Sequence, residues 1–158
     1  MFLPLGGAGS WDRFNQSLAN NDPIQVGDEL RIYYGGRMYR HGPYNGPDKG
    51  VERGGIGLAT IKRDRFVALD GSFEKGASIT TKPLKLSGTT LHMNAKADFG
   101  EIVVELLNEQ GNSIAKSKPL AQDGIDLPVQ WKGDLKLPEN AALKISISNA
   151  RLYSVWTD

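Results

Sequence analysis

A sugar site needs flat aromatic rings for the C–H faces of a pyranose, and amides, carboxylates or guanidinium groups for its hydroxyls. One stretch of this sequence offers that mixture. Tyr33, Tyr39, His41 and Tyr44 lie in or beside the segment from Arg37 to Arg53, interleaved with Arg40, Asn45 and Asp48, and Trp11 precedes them. Trp131, next to Lys132-Gly133-Asp134, is a further candidate platform. The same residues also suit packing, with Trp11 and Tyr34 filling a small sheet and Tyr39 and Tyr44 riding on a loop. Trp156 alternates with Leu152 and Ser154, so period two assigns it to packing.

Other chemistries find less support. His41 offers a base or a metal ligand, but the second histidine, His92, is not at ligand spacing. His92, Asn94 and Lys96 are expected to point outward, opposite Leu91, Met93 and Ala95. Asp70, Asp98 and Asp123 are possible oxygen donors for calcium, yet none forms an Asp-x-Asp-x-Asp loop, and each sits where turns favour aspartate anyway. Lys62, Arg63 and Arg65 read as a solvated strand end. No nucleophile–base pair can be assembled, so no catalytic residue is assigned.

The bulk properties narrow the partners. The chain has 158 residues and a net charge of +1, from nineteen Lys and Arg against eighteen Asp and Glu. That balance gives no reason to expect nucleic acid or an anionic membrane as partner. The absence of cysteine excludes disulfides and thiolate chemistry while leaving the compartment open. No apolar run approaches the roughly 20 residues of a membrane-spanning helix. The opening MFLPLGGAGSWD is broken by Pro4, Gly6 and Gly7, unlike a signal peptide, and reads like the interior of a larger parent fold.

The elements that must hold these residues are strands. Glu29 to Tyr34 alternates, with Leu30, Ile32 and Tyr34 on one face, and ends at Gly35-Gly36. Arg37 to Arg53, with its Gly-Pro and Asn-Gly steps, is a long loop by composition. The stretch Gly54 to Asp70 reads as an extended hinge strand followed by a short run, Phe66 to Leu69. Further runs begin at Ile79, Leu84, Thr90, Glu101 and Asn112. A run holding Val129 and Trp131 lies between Asp123-Gly124 and Lys132-Gly133, and two more follow at Leu143 and Leu152. Asn108 to Gly111 is a hairpin turn with glycine placed for positive φ. Seven or eight short strands at roughly ten-residue spacing, each with one apolar face, predict an all-β, jelly-roll-like antiparallel sandwich.

Three segments carry a family resemblance: GSWD (Gly9 to Asp12), ELRIYYGG (from Glu29) and GIGLATIKRDRFVALDG (from Gly55). In that order they resemble the last blade and exit strand of five-bladed β-propeller proteins related to glycoside hydrolase families 32 and 43. The rest, from TTKPLKLSG through EIVVELLNEQGN to ISNARLYSVW, is similar to the sandwich that follows such propellers. The resemblance implies a blade-like remnant and loop over 1–53 and a β-sandwich over 54–158. Its catalytic motifs, similar to W-x-N-D-P-N-G, R-D-P and E-C, are missing: Arg63-Asp64 is followed by Arg65. Glycoside hydrolysis needs two carboxyl groups about 5–10 Å apart, and no such pair can be assigned. The resemblance therefore implies a non-catalytic accessory module, a scaffold or weak carbohydrate binder. The alternative is an interaction module that pairs with a propeller or with a second copy of itself.

Overall fold

The computed structural model describes residues 3–19, 22–39 and 54–158, and no α-helix occurs among them. The chain forms two compact units, Met1–Arg63 and Asp64–Asp158.

The first unit is one antiparallel sheet. Its strands are β1 (Asn15–Leu18), β2 (Ile24–Val26), β3 (Glu29–Arg37) and β4 (Gly54–Lys62). β3 is central: β4 pairs with it from Glu29↔Lys62 to Arg37↔Gly54, while β1 and β2 share its other edge. The sequence reading ends β3 at Gly35-Gly36, but the strand runs through both glycines. Gly36 and, on β4, Gly55 are needed because Trp11 lies over them, and a Cβ on Gly36 would come within 2.6 Å of its ring. The expected divide before Gly54 also moves. Full-length pairing with β3 keeps β4 in the first unit, and the chain leaves it after Arg63 through Asp64, whose φ is 60°.

The second unit contains β5 (Leu69–Gly71), β6 (Ala77–Thr80), β7 (Leu84–Lys85), β8 (Leu91–Lys96), β9 (Glu101–Leu107), β10 (Ser113–Lys116), β11 (Asp123–Pro128), β12 (Asn140–Ser148) and β13 (Ala150–Thr157). One sheet has the order β10-β9-β12-β6, with β7 also pairing with β12; the other has the order β11-β8-β13-β5. β6 and β7 pair with successive parts of β12, interrupted at Pro83, so together they act as one strand. Counted that way, the sheets interleave as strands 2-7-4-5 and 1-8-3-6, the connectivity of a jelly roll. The all-β, jelly-roll-like expectation holds.

The alternation of β8, β9 and β12 supplies the core between the sheets. Leu91, Met93 and Ala95 face Ile102, Val104 and Leu106, together with Leu143, Ile145 and Ile147, all at most 2% exposed. Each large side chain buried this way contributes roughly 1.5–3 kcal/mol. Ser117, the buried hydroxyl among them, accepts the Val104 amide at 2.9 Å, which offsets the cost of its burial. The β9–β10 hairpin turns as expected: Gly111 has φ 78°, and the Asn108 side chain accepts the amides of Gln110 and Asn112. Two runs differ from expectation. Asp123-Gly124 opens β11 instead of forming a turn, and Phe66 and Val67 are exposed ahead of β5, leaving only Leu69–Gly71 as strand.

Candidate functional site

The outer face of the β11-β8-β13-β5 sheet is the best-built surface in the chain. Period two on β8 turns His92, Asn94 and Lys96 away from the core, and cross-strand pairing sets each in a row. Trp156 lies opposite His92, Ser154 opposite Asn94, and Arg151 opposite Lys96. On the other flank Asp123 lies opposite Lys96 and Pro128 opposite His92.

The Trp156 indole is 36% exposed and stacks on the His92 imidazole, with centroids 5.7 Å apart and planes 18° from parallel. His92 is held from the other side, its Nδ1 2.6 Å from Asp126 Oδ1. Below the end of β13, the Asp158 carboxylate accepts the Thr89 and Thr90 amides at 2.7 and 2.9 Å. Those amide donors, Thr90 first and then Thr89, hold its pKa below the ordinary aspartate value. The exposed indole is thus a ring fixed by neighbours on two strands.

Beneath this row sits the feature that the sequence reading missed. Arg65 is not a solvated strand end; its side chain is only 7% exposed. Its Nε donates to Asn94 Oδ1 at 2.9 Å, and its Nη2 donates to the carbonyls of Ala95 and Gly124 at 2.9 and 3.0 Å. The same nitrogen pairs with Asp123 Oδ1 at 2.7 Å, and the guanidinium lies 4.7 Å from the centre of the Tyr153 ring. Asn94, expected outward into solvent, is 1% exposed because Arg65 covers it. The carbonyls that Arg65 meets lie beside a bulge in β11, between Gly124 and Leu127, where the ladder is broken. A planar fork with several donors suits that gap, and a lysine would not.

At the far end of the same face Arg151 donates to Asp70 at 3.0 Å, which raises its pKa further, and Lys96 lies 3.9 Å from Asp98. These residues, with Phe99 and Asn149, line a depression of about 240 Å³. The three aspartates considered for calcium are therefore each engaged by a cation: Asp70 by Arg151, Asp98 by Lys96 and Asp123 by Arg65. Among the described residues no three His, Asp or Glu side chains gather as a metal cluster. A larger depression, about 610 Å³, lies on the other sheet. Its aromatic residue, Phe73, is 80% exposed at a loop tip.

Of the residues picked out from sequence, Trp11 and Tyr33 do not share a face of the first sheet. Trp11 stacks on Tyr34 at 5.7 Å, on one face of β3, whereas Tyr33 projects from the opposite face and is 41% exposed. The Trp11 loop is held down by Asp12, whose carboxylate accepts from the Ser10 hydroxyl and, at 3.0 Å each, from Gln16 Nε2 and Tyr34 OH. Those donors, Ser10 foremost, lower the Asp12 pKa, and the same contact raises that of Tyr34. Tyr39 is half-buried just beyond β3. His41 and Tyr44 lie outside the described residues. Trp131 is half-buried against the jelly-roll core, and its backbone bridges to Ser117. Trp156, which alternation assigned to packing, is an exposed ring, to the same 36% as Trp11. A bulge at Tyr153, between Leu152 and Ser154, reverses the alternation and turns it outward. No known protein family, curated protein or solved structure compared with the chain matches it.

Proposed function

We propose that the jelly roll is a non-catalytic accessory module of a glycoside-hydrolase-like protein that contacts carbohydrate through the outer face of the β11-β8-β13-β5 sheet. The observation that carries this reading is the fixed, exposed indole of Trp156, stacked on the His92 imidazole. A pyranose laid on the free side of the indole places its C–H face on the ring. The depression beyond, with Asp70, Lys96 and Arg151, supplies polar contacts along the strand direction. Arg65 and Asn94 are the floor and not the contact surface, since both are buried. The family resemblance supports the same class of ligand. An open sheet face with one platform favours a weak complex that follows an extended chain over a deep monosaccharide pocket.

The test is a glycan array read with the full chain, followed by calorimetric titration of any hit. The expected result is binding in the millimolar to high-micromolar range that is lost in Trp156→Ala, while near-ultraviolet dichroism shows an intact core. Silence across plant, algal and storage glycans, or binding indifferent to Trp156→Ala, overturns the proposal.

A further inference from the structure

We propose that the amino-terminal sheet is completed by a second copy of the chain, stacked on the side of β3 and β4 that carries Tyr33. The starting point is an energetic gap. Every buried hydrophobic side chain among the described residues lies between Leu86 and Leu152, in the jelly roll, and none lies in Met1–Arg63. A single sheet has no core until a second layer covers one of its faces.

One face is the natural place for that layer. Pairing along β3 and β4 puts Arg31, Tyr33 and Gly35 beside Thr60, Leu58 and Ile56, and β2 adds Ile24 beside Arg31 and Val26 beside Glu29. Ile56 is 83% exposed, Leu58 and Ile24 47%, Val26 43% and Tyr33 41%. The opposite face already carries Trp11 and Asp12 over Gly36.

Charge chooses the occupant. Along this face β3 reads Glu29, Arg31, Tyr33, Gly35, Arg37, with opposite charges at equal distances from Tyr33. A two-fold axis through Tyr33 therefore sets Glu29 of each copy against Arg37 of the other, and Arg31 against Gly35. That second pairing sets a long side chain against open space, since the nearest atom to a Cβ added at Gly35 is Ser17 Oγ at 3.8 Å. An isologous interface requires this self-complementarity, and a foreign sheet does not.

The size of the patch sets the strength. Nine residues of β3 span about 30 Å, and three strands about 14 Å, a footprint of roughly 400 Å² per copy and 800 Å² in total. Stable complexes bury about 1,200 Å² or more, so the dimer is weak and concentration-dependent.

Sedimentation equilibrium of the full chain provides the test, with no glycan present, so its outcome is independent of the sheet-face reading. The weight-average mass should rise from 17.2 kDa toward twice that value as concentration moves from micromolar to millimolar. Glu29→Arg and Arg37→Glu should each weaken the dimer by about tenfold or more, because like charges then face each other, and the double exchange should restore it. Because Glu29 lies opposite Lys62 within the chain, thermal melts of each variant must show the fold retained. Leu58→Asp should abolish the dimer. A mass of 17.2 kDa at every concentration, or a double exchange that fails to rescue, overturns the proposal. Either result leaves the face to a different partner.

Discussion

Replacing Arg65 with alanine tests whether the jelly roll depends on one buried cation. The change removes an Nε bond to Asn94, two Nη2 bonds to backbone carbonyls, the pairing with Asp123 and the contact with the Tyr153 ring. Hydrogen bonds from a charged donor are worth about 1.5–3 kcal/mol each, but they are not additive, and the carbonyls regain some water through the opened gap. The better guide is the cost of breaking a buried charge pair, about 3–5 kcal/mol, because the largely buried Asp123 carboxylate and the two carbonyls lose the guanidinium together. A unit of this size has about 5–15 kcal/mol in all, so the loss is a large share. At about 4–8 °C per kcal/mol the melting temperature falls by roughly 12–40 °C. Urea titration followed by the fluorescence of Trp131 and Trp156 measures it directly. Arg65→Lys should recover less than half of the loss, since an ammonium cannot span Asn94 and both carbonyls at once. A loss below about 1 kcal/mol for Arg65→Ala would refute the reasoning, and would mean that water replaces the guanidinium without penalty.

Two further expectations concern the core and the surface. Leu143→Ala, in a side chain with no exposed area, should cost about 2–5 kcal/mol in urea titration, with the upper half of that range expected because both sheets enclose the site. Glu105 accepts from Ser113 and lies 3.7 and 3.8 Å from Lys116 and Lys144, so its pKa is held below the ordinary glutamate value, by Ser113 first and then by the lysines. A depressed carboxylate stabilises the fold above its unfolded pKa, about 4.3, and loses that contribution as the pH falls through the lower folded value. Stability measured from pH 6 to pH 2 should therefore drop below about pH 4, and Glu105→Gln should flatten that drop while leaving the curve above pH 6 parallel to wild type.

How much of this was legible follows from which strands obey period two. β8, β9 and β12 are half-buried and uninterrupted, so Leu91-Met93, Ile102-Val104-Leu106 and Leu143-Ile145-Ile147 announce their faces directly. Asn108 to Gly111 announces its turn because an asparagine side chain and a positive-φ glycine are what that turn requires. β1 and β2 give no such signal. NQSL and IQV are short and largely exposed, and they are strands only because the edge of β3 is there to pair with them. β11, as DGIDLP, carries a turn dipeptide at one end and a proline at the other, so its chemistry argues against the role that its neighbour β8 imposes.

The site itself was hidden for a more specific reason. β8 is flanked by two strands that each carry one extra residue, Tyr153 in β13 and one between Gly124 and Leu127 in β11. The first reverses the face on which Trp156 lies, from the side of Leu152 to the side of His92. The second breaks the ladder next to Gly124 and leaves carbonyls for Arg65 to take, which in turn buries Asn94. A pattern with a strict repeat of two cannot register an insertion of one, so every residue past each bulge is read on the wrong face. Bulges are common beside functional surfaces because they re-aim side chains without rebuilding a sheet. Here two of them, on either side of one regular strand, expose the indole and build the floor beneath it. The residues of the proposed contact surface are therefore those whose placement depends on pairing between strands far apart in the chain.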